Sequence, residues 1–336
     1  MILYDQDIPT SLSDFGILIP IRDSRATKTF EALCRHPQIG SRKPHWHLPV
    51  IEEELTREDL ARVHAPQYLD RLYSEALVDE ILSTYELIDA QGNYNRYAPE
   101  QAHRPLTELF DRIVRKAAGS VQCGRIALDH GFCFYFSGGM HHAHADRGGG
   151  FCLVNDIVIA ARKLQAEHLA HTIWIIDVDA HKGDGTASLT ADDDTIRTLS
   201  IHMARGWPLD GPRQWEDGRP NASFVPSDVD IPIHKGEETR YLIQLEAGLN
   251  TLSQAGTADL AIVVCGADPY EHDELPSTGA LKLSLDQMLA RDQMVYRYLA
   301  EREIPSAFLM AGGYGEQVWK VYAQFLIWAL TFCKNP

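Results

Sequence analysis

Short apolar runs of strand length alternate along this chain with segments of helical periodicity. The strand-like runs are residues 132–136, 172–177, 196–201, 260–265 and 306–310. The helical patterns are residues 155–165, 237–252, 284–301 and 317–332. Strands that alternate with helices predict a parallel sheet with helices on both faces. The sequence contains no repeat, low-complexity tract or Gly/Ser linker, so we predict one domain over residues 1–336, of the α/β class, with three layers around an open parallel sheet.

Two long polar and aromatic segments interrupt this alternation. They are residues 84–101, with three tyrosines, and residues 204–232, with Trp207 and Trp215. Both are predicted as loops, and loops of this length in a compact domain are usually functional or mobile.

Four of the predicted strands end in small residues followed by a polar group. The polar groups, in chain order, are His141 and His142, then Asp177, Asp179, His181 and Asp184, then Asp268, and finally Tyr314. In a parallel α/β sheet, ligands bind beyond the carboxyl ends of the strands. We therefore predict that the four segments converge on one site.

The densest of these strand ends carries three carboxylates and one imidazole within residues 175–186. Carboxylates this close repel one another, so their ionisation requires a cation or hydrogen-bond donors nearby. Asp179 and His181 are two positions apart and point to the same side of an extended strand. Oxygen and nitrogen donors together suit zinc. The alternative is a simple turn, for which Asp and Gly are also typical.

A zinc site formed by Asp179, His181 and Asp268 would leave coordination positions open for water and a substrate carbonyl. An isolated Asp268 would by default be a helix cap. Asp268 follows a buried strand, as the other polar groups do, and this shared context favours a role in the metal site over a role as a helix cap.

The remaining polar groups complete a set for metal-assisted hydrolysis. His141 and His142 can transfer protons. Asp177 and Asp184 can orient those two histidines, as carboxylates around metal sites do. Tyr314 supplies a phenolic donor for a developing oxyanion.

Composition excludes several classes of protein. The formal net charge of −16 argues against a nucleic-acid-binding protein and suits a cationic substrate. No segment reaches the roughly 20 apolar residues of a membrane span. The six cysteines form no CxxC pair, and the N-terminus lacks the basic and apolar character of a signal peptide. These features favour reduced thiols and a cytoplasmic location.

Taken together, the motifs resemble the histone deacetylase family of zinc-dependent deacylases, which has the arginase-like α/β fold. The resemblance extends from about residue 7 to the last helix and is densest in residues 138–155, 175–186, 200–202, 266–268 and 312–315. The His-His pair, the run Arg-Gly-Gly-Gly-Phe-Cys at 147–152 and the region from Arg291 onward look most like the class IV branch and its bacterial relatives.

The resemblance assigns roles to the same polar groups. It implies zinc binding by Asp179, His181 and Asp268. It also implies that His141 pairs with Asp177 and His142 with Asp184. His142 is then the main general base and acid, His141 its electrostatic partner, and Tyr314 the group that polarises the scissile carbonyl.

Further sites follow from the resemblance alone. Gly150 and Phe151 match the tunnel that holds the acyl-lysine stem, and Trp207 matches its opposite wall. A monovalent cation, K⁺ or Na⁺, is implied at Asp177, Asp179, His181, Ser200 and Ile201, largely through carbonyl oxygens. A second such site is implied near Thr190, Asp193 and Ile196.

The chain departs from the family pattern at two places. The usual His-Pro near the N-terminus is Ile19-Pro20 here, although an arginine of the acetate-side pocket is retained as Arg25. Lys182 follows His181 where a neutral or imidazole side chain is common. Both changes bear on the preference for the acyl chain.

The predicted function is zinc-dependent hydrolysis of N-acyl amides, most simply of acyl-lysine side chains on peptides or proteins. Within the enzyme class, an acetylpolyamine deacetylase and a long-chain fatty-acyl-lysine deacylase are the alternatives. An arginase-type ureohydrolase would need two manganese ions and more carboxylates. A non-catalytic acyl-lysine reader would lack a base, a ligand or the tyrosine, and none of these is missing.

Overall fold

One parallel sheet organises the molecule. The computed structural model of the chain describes residues 1–9 and 11–332, and within them the sheet has eight strands in the order β2-β1-β3-β8-β7-β4-β5-β6. The strands are β1 (Ile2–Leu3), β2 (His47–Leu48), β3 (Phe132–Tyr135), β4 (Ile173–Asp177), β5 (Ile196–Met203), β6 (Val229–Ile233), β7 (Leu260–Val264) and β8 (Ser306–Leu309). Every pair of neighbouring strands is parallel. The predicted α/β fold with an open parallel sheet is confirmed.

Helices cover both faces of this sheet. They are α1 (Ser24–Arg35), α2 (Lys43–Trp46), α3 (Arg57–Ala61), α4 (Pro66–Leu72), α5 (Leu77–Thr84), α6 (Glu108–His130), α7 (Asp156–Ala166), α8 (Asp184–Leu189), α9 (Tyr241–Gln254), α10 (Leu285–Ala300) and α11 (Trp319–Phe332). Successive side chains of a strand point to opposite faces. Along β4, Ile173 and Ile175 enter the apolar cluster under α6 and α7, while Trp174 and Ile176 enter the cluster under α9, α10 and α11. Both faces of the strand are therefore buried, which explains its continuous apolar sequence.

The strands absent from the sequence prediction lie toward the edges of the sheet. β1 and β2 have two residues each, which is too short for any periodicity. β6 is an edge strand with alternating burial and contains Pro232, a residue that sheets tolerate mainly at an edge. The segment 204–232, predicted as a loop, therefore ends inside β6.

The start of α7 links the helix layer to the carboxyl ends of the strands. The Asn155 side chain caps the helix by accepting from the Val158 backbone N–H at 3.1 Å. The Asn155 amide nitrogen also donates to the Ala143 carbonyl at 3.2 Å and to Thr186 Oγ1 at 3.1 Å. One buried side chain thus holds the segments after β3 and β4 together.

Two sequence expectations concern the chain as a whole. Among residues 1–9 and 11–332, no helix combines the length and apolar character that crossing a membrane requires. The cysteines in this part of the chain, Cys34, Cys123, Cys133, Cys152 and Cys265, are free thiols, and Cys333 lies outside the described residues.

Candidate active site

Four adjacent strands deliver the candidate catalytic groups to one cavity. β3, β8, β7 and β4 are consecutive in the sheet, so their carboxyl ends lie side by side. The cavity encloses ≈ 90 Å³, and its lining includes His141, His142, Asp179, His181 and Tyr314. The predicted convergence of the strand ends therefore agrees with the topology of the sheet.

Asp179, His181 and Asp268 form a buried cluster whose possible ligand atoms all lie within 4.8 Å of one another. His181 Nδ1 faces both carboxylates, at 3.0 Å from Asp268 Oδ2 and 3.3 Å from Asp179 Oδ1. The carboxylates are also fixed by the backbone, because Ala180 N–H donates to Asp268 at 2.9 Å and Gly312 N–H to Asp179 at 3.0 Å. Two carboxylates and one imidazole with this spacing fit a zinc ion.

The charges in this cluster are incompletely balanced by the protein. Burial, and then the charge of Asp179, raise the pKa of Asp268 to about 6. Burial alone would lower the pKa of His181, but hydrogen bonds to Asp179 and Asp268 raise it to about 10. His181 is thus shared by two crowded carboxylates, and a divalent cation would relieve their remaining repulsion.

The first histidine after β3 is paired with a carboxylate at the end of β4. His141 Nδ1 lies 2.7 Å from Asp177 Oδ2, and its Nε2 lies 3.7 Å from Asp179 Oδ1. Burial lowers the pKa of His141, yet Asp177 and Asp179 outweigh burial and raise it to about 9. His141 is therefore positively charged at neutral pH.

The second histidine is paired with a carboxylate in the same way but is uncharged at neutral pH. His142 Nδ1 lies 2.8 Å from Asp184 Oδ1. Burial, and then the charge of His141, lower the pKa of His142 to about 3 despite Asp184. The two rings are only 3.9 Å apart between centroids, so one protonated ring disfavours protonation of the other. His142 is neutral at neutral pH, as a general base must be.

Two residues that the sequence did not reveal complete this second pair. The other oxygen of Asp184 accepts from Ser223 Oγ at 2.6 Å and lies 3.1 Å from His144 Nε2. Ser223 comes from a short 3₁₀ turn in the segment between β5 and β6. Nothing in the sequence near Ser223 signals this contact, because the segment has neither periodicity nor a motif.

Tyr314 follows β8 and lines the same cavity. Its backbone N–H donates to Asp273 Oδ2 at 2.7 Å, which holds the loop after β8 against the segment after β7. Burial, and then the nearby carboxylates Asp268 and Asp179, raise the pKa of Tyr314 well above its ordinary value. Its hydroxyl therefore remains a donor.

Two of the predicted tunnel residues, Gly150 and Trp207, lie against His142. The Trp207 and His142 rings lie 4.4 Å apart between centroids at an interplanar angle of 74°. A Cβ on Gly150 would lie 2.3 Å from Trp207 and 2.5 Å from His142, so only glycine permits this approach. Phe151 stacks on Tyr85 with centroids 6.1 Å apart. Gly150 and Trp207 are thus brought together beside His142, and Phe151 lines the same cavity as Gly150 and His142.

Asp177 and Ser200, two of the residues predicted to hold a monovalent cation, lie next to each other in the sheet. Asp177 and Ser200 are paired across β4 and β5, and Ile201 is fully buried beside them. The Ser200 hydroxyl is buried without a hydrogen-bond partner in the described part of the chain. Such an orphaned oxygen is costly unless a cation or water satisfies it, and it fits the predicted ion.

The second predicted cation site has its side chains engaged elsewhere. Thr190 Oγ1 donates to the Thr186 carbonyl at 2.9 Å, and Asp193 forms an ion pair with Arg162.

Lys182, which departs from the family pattern beside His181, is buried and donates to Asp230 at 2.5 Å. It therefore points away from solvent into a structural ion pair.

Two cationic side chains lie in the cavity wall, and the sequence singled out only one of them. The family resemblance points to Arg25, whereas no motif contains Lys116. Lys116 lies on the buried face of α6 with Ile113, Ala117 and Ser120, a spacing of three and four residues that marks the inner face of a helix. A lysine on the inner face of a helix is the sequence feature that could have indicated a charged group in the cavity.

Comparison with known proteins identifies the family. The sequence profile of the histone deacetylase domain matches residues 19–330, and the chain belongs to that family. The crystal structure of the HDA15 HD domain superimposes with a TM-score of 0.67 and 19% sequence identity, covering 100% of this chain and 90% of that one. At that identity the likeness concerns the fold alone.

The relatives in sequence include a protein that is itself named a histone deacetylase. An uncharacterised protein of Picosynechococcus sp. is 30% identical over 259 residues, covering 76% of this chain and 80% of that protein. Histone deacetylase 2 of Arabidopsis thaliana is 28% identical over 80% of this chain and 64% of its own length. The acetoin utilization protein AcuC of Staphylococcus aureus is 28% identical, over 56% of this chain and 47% of its own length. Family and relatives support a deacetylase or deacylase activity.

Proposed function

We propose that this protein hydrolyses N-acyl amides, and that its substrates are acylated lysine side chains. The observation that carries the proposal is the arrangement around one cavity of two histidine–carboxylate pairs, a three-residue ligand cluster and a tyrosine. A domain of the histone deacetylase family over residues 19–330 supports the same reaction class.

Asp179, His181 and Asp268 would hold a zinc ion. When bound, zinc lowers the pKa of a water ligand towards ~7 and polarises a carbonyl. The ligand cluster, with its buried and mutually repelling carboxylates, supports this choice. Zinc in this place would also leave room for water and substrate in the adjoining cavity.

Proton transfer would be carried out by His142. Its Nδ1–H is donated to Asp184, so Nε2 is free to accept a proton from the attacking water and to return it to the departing amine. His141, protonated and held by Asp177, would stabilise negative charge that develops beside it. Tyr314 would donate its hydroxyl hydrogen to the oxyanion.

The lysine stem would enter past Gly150, Phe151 and Trp207. The ring of Trp207 beside His142 supports a narrow apolar entrance that excludes water from the reacting centre. Asp177, Asp179, His181, Ser200 and Ile201 would hold K⁺ or Na⁺, for which the unpartnered Ser200 hydroxyl is the support. A cytoplasmic location is part of the proposal, supported by the free thiols of the described cysteines.

An acetylated polyamine would undergo the same chemistry, and the net charge of −16 favours a cationic substrate. A competition assay between an acetyl-lysine peptide and acetylputrescine or acetylspermidine decides between them. The substrate with the higher kcat/KM is the preferred class.

The proposal is tested with the zinc-loaded protein and an acetyl-lysine peptide. Hydrolysis is expected, with loss of activity in a chelator and recovery on adding zinc. Tyr314→Phe is expected to retain zinc while turnover falls by about a hundredfold. Binding of the peptide without hydrolysis would identify a reader, and two metal ions per chain would identify a ureohydrolase. Normal turnover in Tyr314→Phe would refute the role of its hydroxyl.

A further inference from the structure

Two buried cationic side chains share the wall of the catalytic cavity. Arg25 on α1 and Lys116 on α6 are each only 7% exposed, and both line the cavity with His142 and Tyr314. Burying a charged side chain without an opposite charge is costly. Two such groups in one small cavity therefore call for an anion.

The protein itself provides little compensation for Lys116. In residues 1–9 and 11–332, its ammonium group has neither a hydrogen bond nor an ion pair. Burial, and then the positive charges of Arg25 and Arg112, lower the pKa of Lys116 to about 7, and Asp23 opposes them only weakly. The Asp23 carboxylate is itself occupied by the Ser11 backbone N–H at 2.8 Å.

Arg25 is only partly satisfied as well. One of its terminal nitrogens donates to the Ala311 carbonyl at 2.8 Å, and a longer contact of 3.4 Å reaches the Gly313 carbonyl. Its buried Nε has no partner among the described residues. The carbonyls that Arg25 does contact belong to the loop that carries Tyr314, so the guanidinium is tied to the catalytic loop.

We propose that Lys116 and Arg25 form a carboxylate-binding site in the catalytic cavity, and that the preferred acyl group is a short dicarboxylic one such as malonyl, succinyl or glutaryl. This inference rests on the proposed amide hydrolysis. A substrate that enters past Gly150 and Trp207 and has its carbonyl at Tyr314 extends its acyl tail deeper into the cavity. There a terminal carboxylate pairs with both cations through charge-assisted hydrogen bonds.

Other acyl groups fit this cavity less well. An acetyl group leaves both cations unpaired. A long alkyl chain would lie against both cations without supplying a charge or a hydrogen-bond acceptor to either of them. In the reaction, water adds OH to the acyl carbon, the C–N bond breaks, and the nitrogen gains a proton. The products are free lysine and a dicarboxylate.

The kinetic test compares acyl groups on one lysine peptide with zinc-loaded protein. Succinyl and succinamoyl groups are similar in size and differ in terminal charge, and acetyl is the reference. We expect kcat/KM for succinyl to exceed that for succinamoyl at least about tenfold. Lys116→Met, which is similar in length but uncharged, is expected to abolish that ratio. The same change at the exposed Lys235 is expected to preserve it.

A binding measurement separates this inference from the proposed function. Succinate or glutarate, added to zinc-free protein, is expected to raise the unfolding temperature of wild type and of Lys235→Met, but not of folded Lys116→Met. If acetyl-lysine is hydrolysed while succinyl-lysine is not preferred over succinamoyl-lysine, the carboxylate site is wrong and the amidase function stands. If no amide is hydrolysed yet the dicarboxylates still protect through Lys116, the site stands and the proposed function fails. Equal protection of Lys116→Met overturns the site.

Discussion

His142 donates from Nδ1 to Asp184 Oδ1 at 2.8 Å, and this bond fixes the ring that faces the candidate metal cluster. The other oxygen of Asp184 is held by Ser223 and His144. Burial would raise the pKa of Asp184, but His142 and His144 outweigh it and hold the pKa well below the usual range. Asp184 therefore remains a carboxylate that selects one tautomer of His142.

Weakening the hydrogen bonds that hold Asp184 and His142 in place should slow catalysis, although no reacting group is removed. We expect Ser223→Ala to lower kcat by about tenfold and Asp184→Asn by about a hundredfold, in the range usual for such supporting groups. KM should change little. Ser223→Thr, which keeps the hydroxyl, should recover activity, and Ser227→Ala in the same segment is the control. A purely structural role for Ser223 would lower the unfolding temperature while leaving kcat intact.

Removing the charge of one proposed ligand should lower the affinity of the protein for zinc. Asp268→Asn replaces a carboxylate that lies 3.0 Å from His181 Nδ1, and metal analysis after dialysis should show reduced zinc occupancy. The matched control is Asp273→Asn. Asp273 lies outside the ligand cluster and accepts from the Tyr314 backbone N–H, and asparagine keeps an oxygen that can accept there. The control should retain zinc, and full occupancy in Asp268→Asn would contradict the ligand assignment.

The close approach of Trp207 to His142 depends on one glycine. Gly150→Ala places a Cβ 2.3 Å from Trp207 and 2.5 Å from His142, and the φ of +50° is itself unfavourable for alanine. We expect kcat/KM to fall by about a hundredfold, since small displacements of reacting groups are costly. Gly149→Ala is the control because its Cβ would meet only the His142 carbonyl, at 3.6 Å. Equal activities of the two variants would show that the contact is unimportant.

A buried histidine away from the cavity should make folding stability depend on pH. His64 Nδ1 donates to the His144 carbonyl at 2.9 Å, and its Nε2 accepts from Asn155 N–H at 3.1 Å. Burial lowers the pKa of His64 to about 4. As the pH falls below about 6.5, His64 becomes protonated in the unfolded chain but stays neutral in the folded protein until about pH 4. The free energy of unfolding therefore decreases.

Urea unfolding in EDTA at pH 7 and pH 5 measures this effect. The contribution of His64 to the loss of stability over that interval is about 2 kcal/mol. His64→Gln keeps one donor and one acceptor but cannot be protonated. Between pH 7 and pH 5, the variant should therefore lose about 2 kcal/mol less unfolding free energy than wild type. The same substitution at the exposed His103 should leave the pH dependence of wild type. An unchanged dependence in His64→Gln would rule out His64 as its source.

Local patterns were sufficient to predict much of the fold and the candidate site. β4 was visible because both of its faces are buried and its sequence is continuously apolar. The polar groups after β3, β4, β7 and β8 were visible because each follows such a run directly. β1 and β2 could not be predicted, because strands of two residues are too short to show a periodic pattern. The edge strand β6 could not be predicted because it contains Pro232, a residue that argues against a strand.

The sequence by itself determined which groups stand at the strand ends, since strand formation and side-chain alternation are local properties. The tertiary structure decided which groups meet. Ser223 reaches Asp184 across the segment between β5 and β6, and Arg25 and Lys116 share a cavity although they lie on different helices. Such contacts arise from the packing of helices and loops against the sheet, and no period or spacing along the chain encodes the distance between two elements that close a cavity together.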